Sequence, residues 1–203
     1  MKEFVTVGYT YSELSEAARE KVKQWYLDDE SRSEFFYENV MCYLAADFPC
    51  SELDVCYSLS YCQGDGLNIY GKLNLYEFLE IWQGTPEEKK QMQMYLEKSG
   101  VSVFEFDKNH RYCYSCKFLD KKRIANCVYE IAEELIDNGF SENEIDKKLI
   151  EFFYIDMLEY FENLDEQYEK VGYEYLYECD DSEIQECCEI NDWYFTADGD
   201  FIG

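Results

Sequence analysis

Asp54-Val-Cys-Tyr-Ser-Leu-Ser-Tyr-Cys-Gln-Gly-Asp-Gly-Leu-Asn-Ile-Tyr-Gly-Lys-Leu-Asn-Leu75 contains two alternating runs joined by Gln63-Gly64-Asp65-Gly66. In the first run Val55, Tyr57, Leu59 and Tyr61 share a face, and Cys56, Ser58, Ser60 and Cys62 share the other. In the second, Leu67, Ile69, Gly71, Leu73 and Leu75 lie together. Period-two patterning on both sides of a Gly-Asp-Gly turn predicts a β-hairpin. The turn requires positive φ, which glycine adopts freely and aspartate tolerates. Gly71, inside the second strand, predicts a bulge or a close backbone approach.

Helical patterns flank the hairpin. Upstream, Val5–Tyr11 reads as a short strand. Ser12 or Ser15 then caps a helix with the stripe Leu14, Ala18, Val22 and Trp25. A second helix runs from about Ser33 to Asp47 with Phe36, Val40, Tyr43 and Leu44 inward, and Pro49 stops it. Downstream, Tyr76–Gln83 is a short helix. Gly84-Thr85-Pro86-Glu87-Glu88 opens the next, with threonine at the N-cap and proline at the first helical position, and Gly100 ends it. Val101–Asp107 alternates as a strand, Lys108-Asn109-His110 turns it, and Arg111–Leu119 alternates again. Two hairpins would make a central antiparallel sheet of about four strands. Asp120 then caps a helix that ends at Asn138-Gly139, and Ser141-Glu142-Asn143-Glu144 opens a long helix to about Lys170, which Gly172 breaks. A helix near Asp181–Ile190 leads to a strand-like tail at Trp193–Gly199. The expected fold is a single α+β domain over residues 1–203, with the sheet core at about 54–119 and an acidic, mostly helical half at about 120–203.

The totals narrow the function. Apolar residues make up 47 % and aromatics 18 %, so the chain folds around a core and is not a disordered acidic tail. The N-terminal residues carry no apolar leader and no long apolar run follows, which gives a soluble, cytoplasmic reading. Ten cysteines in that setting read as reduced thiols rather than a disulfide framework. The net charge is −27, and residues 129–203 contribute 24 acids against three lysines and no arginine. Such a surface repels nucleic acid and membranes and attracts basic grooves.

The candidate chemistry is sparse. The single histidine lies in His110-Arg-Tyr-Cys113-Tyr-Ser-Cys116, a spacing that suits zinc, with Cys62 or an acid as fourth ligand. Strand alternation opposes it by sending Cys113 and Cys116 to opposite faces unless a bulge intervenes. Cys179, Cys187 and Cys188 form a second group, read as core or surface thiols, because adjacent helical cysteines point about 100° apart. A lone histidine on a turn leaves no nucleophile–base pair. Gln63-Gly64-Asp65-Gly66 lacks the lysine and following helix of a phosphate loop. The chain therefore reads as non-enzymatic. On the long helix Glu159, Glu162, Glu166 and Glu169 follow steps of three and four, with Asp165 beside them. One reading is a solvated outer face. The other is a DNA-mimicking stripe that enters the basic channel of a nucleic-acid-binding protein.

Gln63-Gly64-Asp65-Gly66 after a β-run, Arg111-Tyr-Cys-Tyr-Ser, Asn191-Asp-Trp-Tyr-Phe-Thr-Ala-Asp-Gly199 and the opening Tyr11-Ser-Glu-Leu-Ser-Glu-Ala-Ala-Arg-Glu20 resemble landmarks of a family of small acidic proteins. These are carried by phages and mobile elements and are sometimes labelled antitoxin-like. The cysteine load and the extra C-terminal acids depart from that pattern. The resemblance implies a phage-type inhibitor of host defence, in its narrowest form an anti-CRISPR inhibitor of a type II effector nuclease, whose duplex channel is positively charged. Two alternatives stand beside it: an antitoxin-like or regulatory partner of a small basic protein, and a zinc-binding protein with structural or catalytic metal.

Overall fold

Strand β2 (Gly66–Asn74) is the centre of the sheet and pairs antiparallel on both sides. Its partners are β1 (Glu52–Ser58) and β3 (Val103–Phe106), in the order β1-β2-β3. The computed structural model describes residues 7–62, 64–108 and 113–203, apart from the side chains at 113–120, 143, 144 and 146. The expected hairpin is present, with Val55 opposite Ile69 and Leu53 opposite Gly71. Gly71 has φ +110°, and a Cβ built there would stand 2.2 Å from the Glu52 carbonyl oxygen. The close-approach reading of this glycine holds.

The remaining elements are α1 (Glu16–Leu27), α2 (Ser31–Asp47), α3 (Leu75–Ile81), α4 (Pro86–Ser99), α5 (Cys113–Asp137), α6 (Glu142–Ile150), α7 (Leu158–Tyr177) and α8 (Asp181–Ile190). Ser15 caps α1, Pro86 stands at the start of α4 behind a Thr85–Glu88 capping box, and Gly100 ends α4 at φ +71°. The chain divides into two compact units, residues 37–170 and residues 1–36 with 171–203, so the division falls within α2 and within α7.

The unit of residues 37–170 is built on one face of the sheet. Leu53, Val55, Leu67, Ile69, Leu73, Phe104 and Phe106 are buried there, with Phe78, Met92, Tyr95, Leu96, Ile124, Ile131 and Leu135 from the helices. Aromatic rings dominate: Phe106 lies 4.6 Å from Phe161, and Phe152 lies 5.1 Å from Trp82 and 5.3 Å from Phe78. Between α6 and α7 the helix widens into a π-helical stretch, Glu151–Met157. Phe152 and Met157, five residues apart, are both fully buried, the spacing that an i→i+5 turn brings to one face. Asp156 accepts the Trp82 indole N–H at 2.6 Å.

The unit of residues 1–36 and 171–203 has its own core of Tyr11, Leu14, Ala18, Val22, Ile184, Cys188 and Phe195. The strand expected at Val5–Tyr11 is reduced to a bridge: the amides of Tyr9 and Phe195 exchange hydrogen bonds at 2.9 and 3.0 Å. Val5 and Thr6 of that expectation lie outside the described residues. The tail at Trp193–Gly199 does form a narrow hairpin, with Phe195 also bridged to Phe201.

Several expectations fail, among them the Asp120 cap, since Asp120 lies inside α5. The fourth strand is absent among the described residues, because α5 already begins at Cys113. From Cys113 to Asp137 no glycine or proline interrupts the chain, so the helix that buries Ile124, Ile131 and Leu135 continues upstream, each added residue contributing a hydrogen bond. Gly172 does not break α7, which continues to Tyr177; the glycine is buried and helical, a position that costs roughly 1 kcal/mol relative to alanine without stopping a helix. Trp25 and Tyr43, assigned inward, are 37 % and 62 % exposed, because the buried rows are the narrower Leu14–Ala18–Val22 and Phe36–Val40–Leu44 lines.

Candidate interaction surface

The acidic stripe of α7 belongs to the unit of residues 37–170, and its five acids differ in setting. Glu159 and Glu166 are exposed, whereas Glu162, Asp165 and Glu169 are half-buried. Asp165 is turned toward the sheet, where its carboxylate accepts the Ile69 backbone N–H at 2.8 Å. β3 pairs with β2 only from Gly71 onward, so among the described residues this side of β2 has no strand partner at Ile69, and Asp165 accepts its N–H instead. Glu169 faces the hairpin loop. Burial raises its carboxyl pKa above the ordinary value, and the charges of Asp65 and Glu166 raise it further. Among the described residues, no ion pair involves Glu159, Glu166 or Glu169.

The loop that joins β1 and β2 is organised by Asp65. Its carboxylate accepts the backbone N–H groups of Ser60 at 2.6 Å and Cys62 at 2.9 Å, and the Ser58 hydroxyl at 3.3 Å. This is the turn chemistry expected of an aspartate there. The outer face of the sheet carries a second network. Asp54 accepts the Tyr37 hydroxyl at 2.9 Å and, in a shorter bond, the Tyr70 hydroxyl, which in turn accepts from Lys108 at 2.7 Å. Burial works against ionisation of Asp54. The hydrogen bonds from Tyr70, the Val55 amide and Tyr37 outweigh it and hold the carboxyl below its ordinary value. Burial and the Asp54 contact push the Tyr70 phenol up, which makes it a donor rather than a base.

The zinc expectation rested on His110, Cys113 and Cys116. His110 and the side chains of the two cysteines lie outside the described residues. The backbone corrects one premise, because Cys113 and Cys116 stand three residues apart at the start of a helix and not on an alternating strand. Among the described residues no group of three or more His, Cys, Asp or Glu is placed to hold a metal ion. The eight described cysteines are free thiols. Cys188 is buried in a core and Cys179 packs against it, while the Cys187 sulfur lies 3.3 Å from the Tyr26 hydroxyl. Burial pushes the Cys188 thiol up to about 11 and the Cys127 thiol up to about 12, which leaves both protonated and inert at neutral pH.

The other unit holds two features that the sequence reading did not assign. Arg32 is 5 % exposed, sandwiched between the rings of Tyr26 at 4.5 Å and Tyr175 at 4.7 Å, and donates to the Tyr175 carbonyl. Trp25, Trp193 and Phe201 form a half-exposed aromatic cluster. Trp25 lies more than 160 residues before the hairpin that carries Trp193 and Phe201, so only the tertiary fold reveals the group.

These features define a helix-rich α+β protein with a small antiparallel sheet and an acidic helical surface, in which no described helix is long and apolar enough to cross a membrane. Compared with known protein families, with curated proteins and with solved structures, the chain shows no match.

Proposed function

We propose that this chain is a non-enzymatic inhibitor that occupies the basic nucleic-acid channel of a partner protein with its acidic α7 surface and blocks DNA loading. The observation that carries the reading is the line of Glu159, Glu162, Glu166 and Glu169 along one helical face. From Glu159 to Glu169 the line spans about 15 Å at the helical rise, or roughly one charge per 5 Å. A DNA strand carries one per about 3.4 Å of axis, so a channel shaped for phosphates meets a comparable field. Asp165 serves the fold, and the partner-facing set is led by the exposed Glu159 and Glu166, with Glu162 and Glu169 half-buried beside them. Like charges at such spacing cost each other roughly 0.2–0.5 kcal/mol per pair, a cost that a basic partner removes on binding. In its narrowest form the partner is a type II CRISPR effector nuclease, the class that the family resemblance favours.

The test is a binding titration against a guide-loaded effector of that type over a salt series, with DNA cleavage as the second readout. Affinity is expected to fall steeply with salt, and Glu159→Lys with Glu166→Lys is expected to abolish inhibition while the protein stays folded. Inhibition that survives both changes would overturn the DNA-mimic reading.

A further inference from the structure

We infer that the Trp25–Trp193–Phe201 cluster is a docking site for an arginine-bearing basic segment of a protein partner. This rests on the reading above that the partner is basic, and adds which surface takes its side chains and which cation is preferred. Trp25 lies nearly parallel to Phe201, 5.0 Å away with 13° between the ring planes. Trp193 stands edge-on to both, at 5.2 and 6.1 Å. Beneath them Phe195 is fully buried and edge-on to Trp25 at 5.7 Å, so the cluster is anchored in the core. Phe201 is 44 % exposed.

The rings are held in place before any partner arrives. Tyr194 donates its N–H to the Gly203 carbonyl at 2.6 Å, Ile202 to Tyr194 at 3.0 Å, and Thr196 to Asp200 at 2.8 Å, which closes the hairpin carrying Trp193 and Phe201. Gly199 at its tip has φ +83° and packs so closely on α1 that a Cβ would stand 2.5 Å from the Ala18 carbonyl. A rigid aromatic surface loses little entropy on binding, which is how such clusters become hot spots.

Charge selects the occupant. Residues 171–203 hold ten acids and no basic residue. Asp192 immediately precedes Trp193 and Asp200 immediately precedes Phe201, and both are exposed. The one nearby cation that pairs there, Lys21, is held by Asp200. A guanidinium is planar and stacks flat on indole and phenyl faces with its N–H groups free at the edge, a geometry that a compact lysine ammonium does not share. Aromatic faces in an acidic segment therefore favour arginine over lysine.

The experiment titrates the whole chain with an oligo-arginine peptide and with an oligo-lysine peptide of equal length, reading tryptophan fluorescence. Trp25 and Trp193 are the half-exposed reporters, and Trp82 is buried. Oligo-arginine is expected to bind about fivefold more tightly than oligo-lysine. Phe201→Leu is expected to reduce that ratio to near one, and Phe201→Tyr to keep it. Should Phe201→Leu lower the melting temperature, Asp192→Asn, which keeps a residue tolerant of the local φ of +53°, must still weaken oligo-arginine binding. Equal affinity for the two peptides, or an unchanged ratio in folded Phe201→Leu, overturns the docking site and leaves the acidic-surface reading standing. Failure of both peptides to bind even at low salt overturns that reading and this inference together. Self-association that Phe201→Leu dissolves makes a second copy the occupant and overturns the inference.

Discussion

Asp165 and its neighbours on α7 separate the acids that hold the fold from those available to a partner. Replacing Asp165 with alanine removes the acceptor 2.8 Å from the Ile69 N–H, in a residue only 2 % exposed and beyond the reach of β3. A hydrogen bond to a charged group is worth about 1.5–3 kcal/mol, and a buried amide left without a partner costs a similar amount, so the loss is about 2 kcal/mol. For a chain of this size that lowers the melting temperature by about 4–8 °C. Asp165→Asn keeps a carbonyl acceptor and loses only the charge assistance, for about half the effect. Glu159→Gln and Glu166→Gln, at exposed positions, are expected to fall within about 0.5 kcal/mol of the parent, toward higher stability, because each relieves like-charge repulsion. The assay is urea denaturation followed by the fluorescence of Trp82 in variants that retain Trp82 alone. An Asp165→Ala protein as stable as the parent, or a Glu159→Gln protein as weak as Asp165→Ala, would refute this division of labour.

Gly71→Ala forces a side chain onto the Glu52 carbonyl at positive φ, and a loss of about 3 kcal/mol or more is expected in the same denaturation assay. Gly199→Ala meets the Ala18 carbonyl in the same way, so the fluorescence of Trp25 and Trp193 should report a loosened hairpin while Trp82 is unchanged. The Glu169 carboxyl is raised in the folded protein, so the folded state binds its proton more tightly than the unfolded state. Its contribution to stability is present below the ordinary glutamate value of 4.5 and is lost as pH rises through the higher folded value. Glu169→Gln should therefore stabilise the protein near neutral pH and flatten its pH dependence in the window just above 4.5, both read from melting curves.

The hairpin was legible because one side of the sheet is buried and the other is wet, so Val55, Ile69 and Leu73 recur at period two and the glycines fall where φ turns positive. The caps at Ser15 and Thr85 were equally local, each depending on a side chain within three residues. Arg111–Leu119 failed because a short apolar run alternates as well in a helix as in a strand until its neighbours decide. The widened turn at Glu151–Met157 carries no local mark, because it follows from the demand that Phe152, Phe153 and Met157 all be buried. On α7, spacing revealed that the acids share a face. The turn of Asp165 toward Ile69 depends on a strand 96 residues away, which no periodicity encodes.

The π-helical stretch also sets which face of α7 meets the sheet in the unit of residues 37–170. An i→i+5 turn accommodates one more residue than the α-helical pattern, and one residue rotates a helix by about 100°. With one residue fewer between Glu151 and Met157, α7 would emerge rotated by that angle. Asp165 would leave the Ile69 amide, and a different set of side chains would face the sheet. Which acids look outward is thus decided before α7 begins, by a single extra residue in the helix that leads into it.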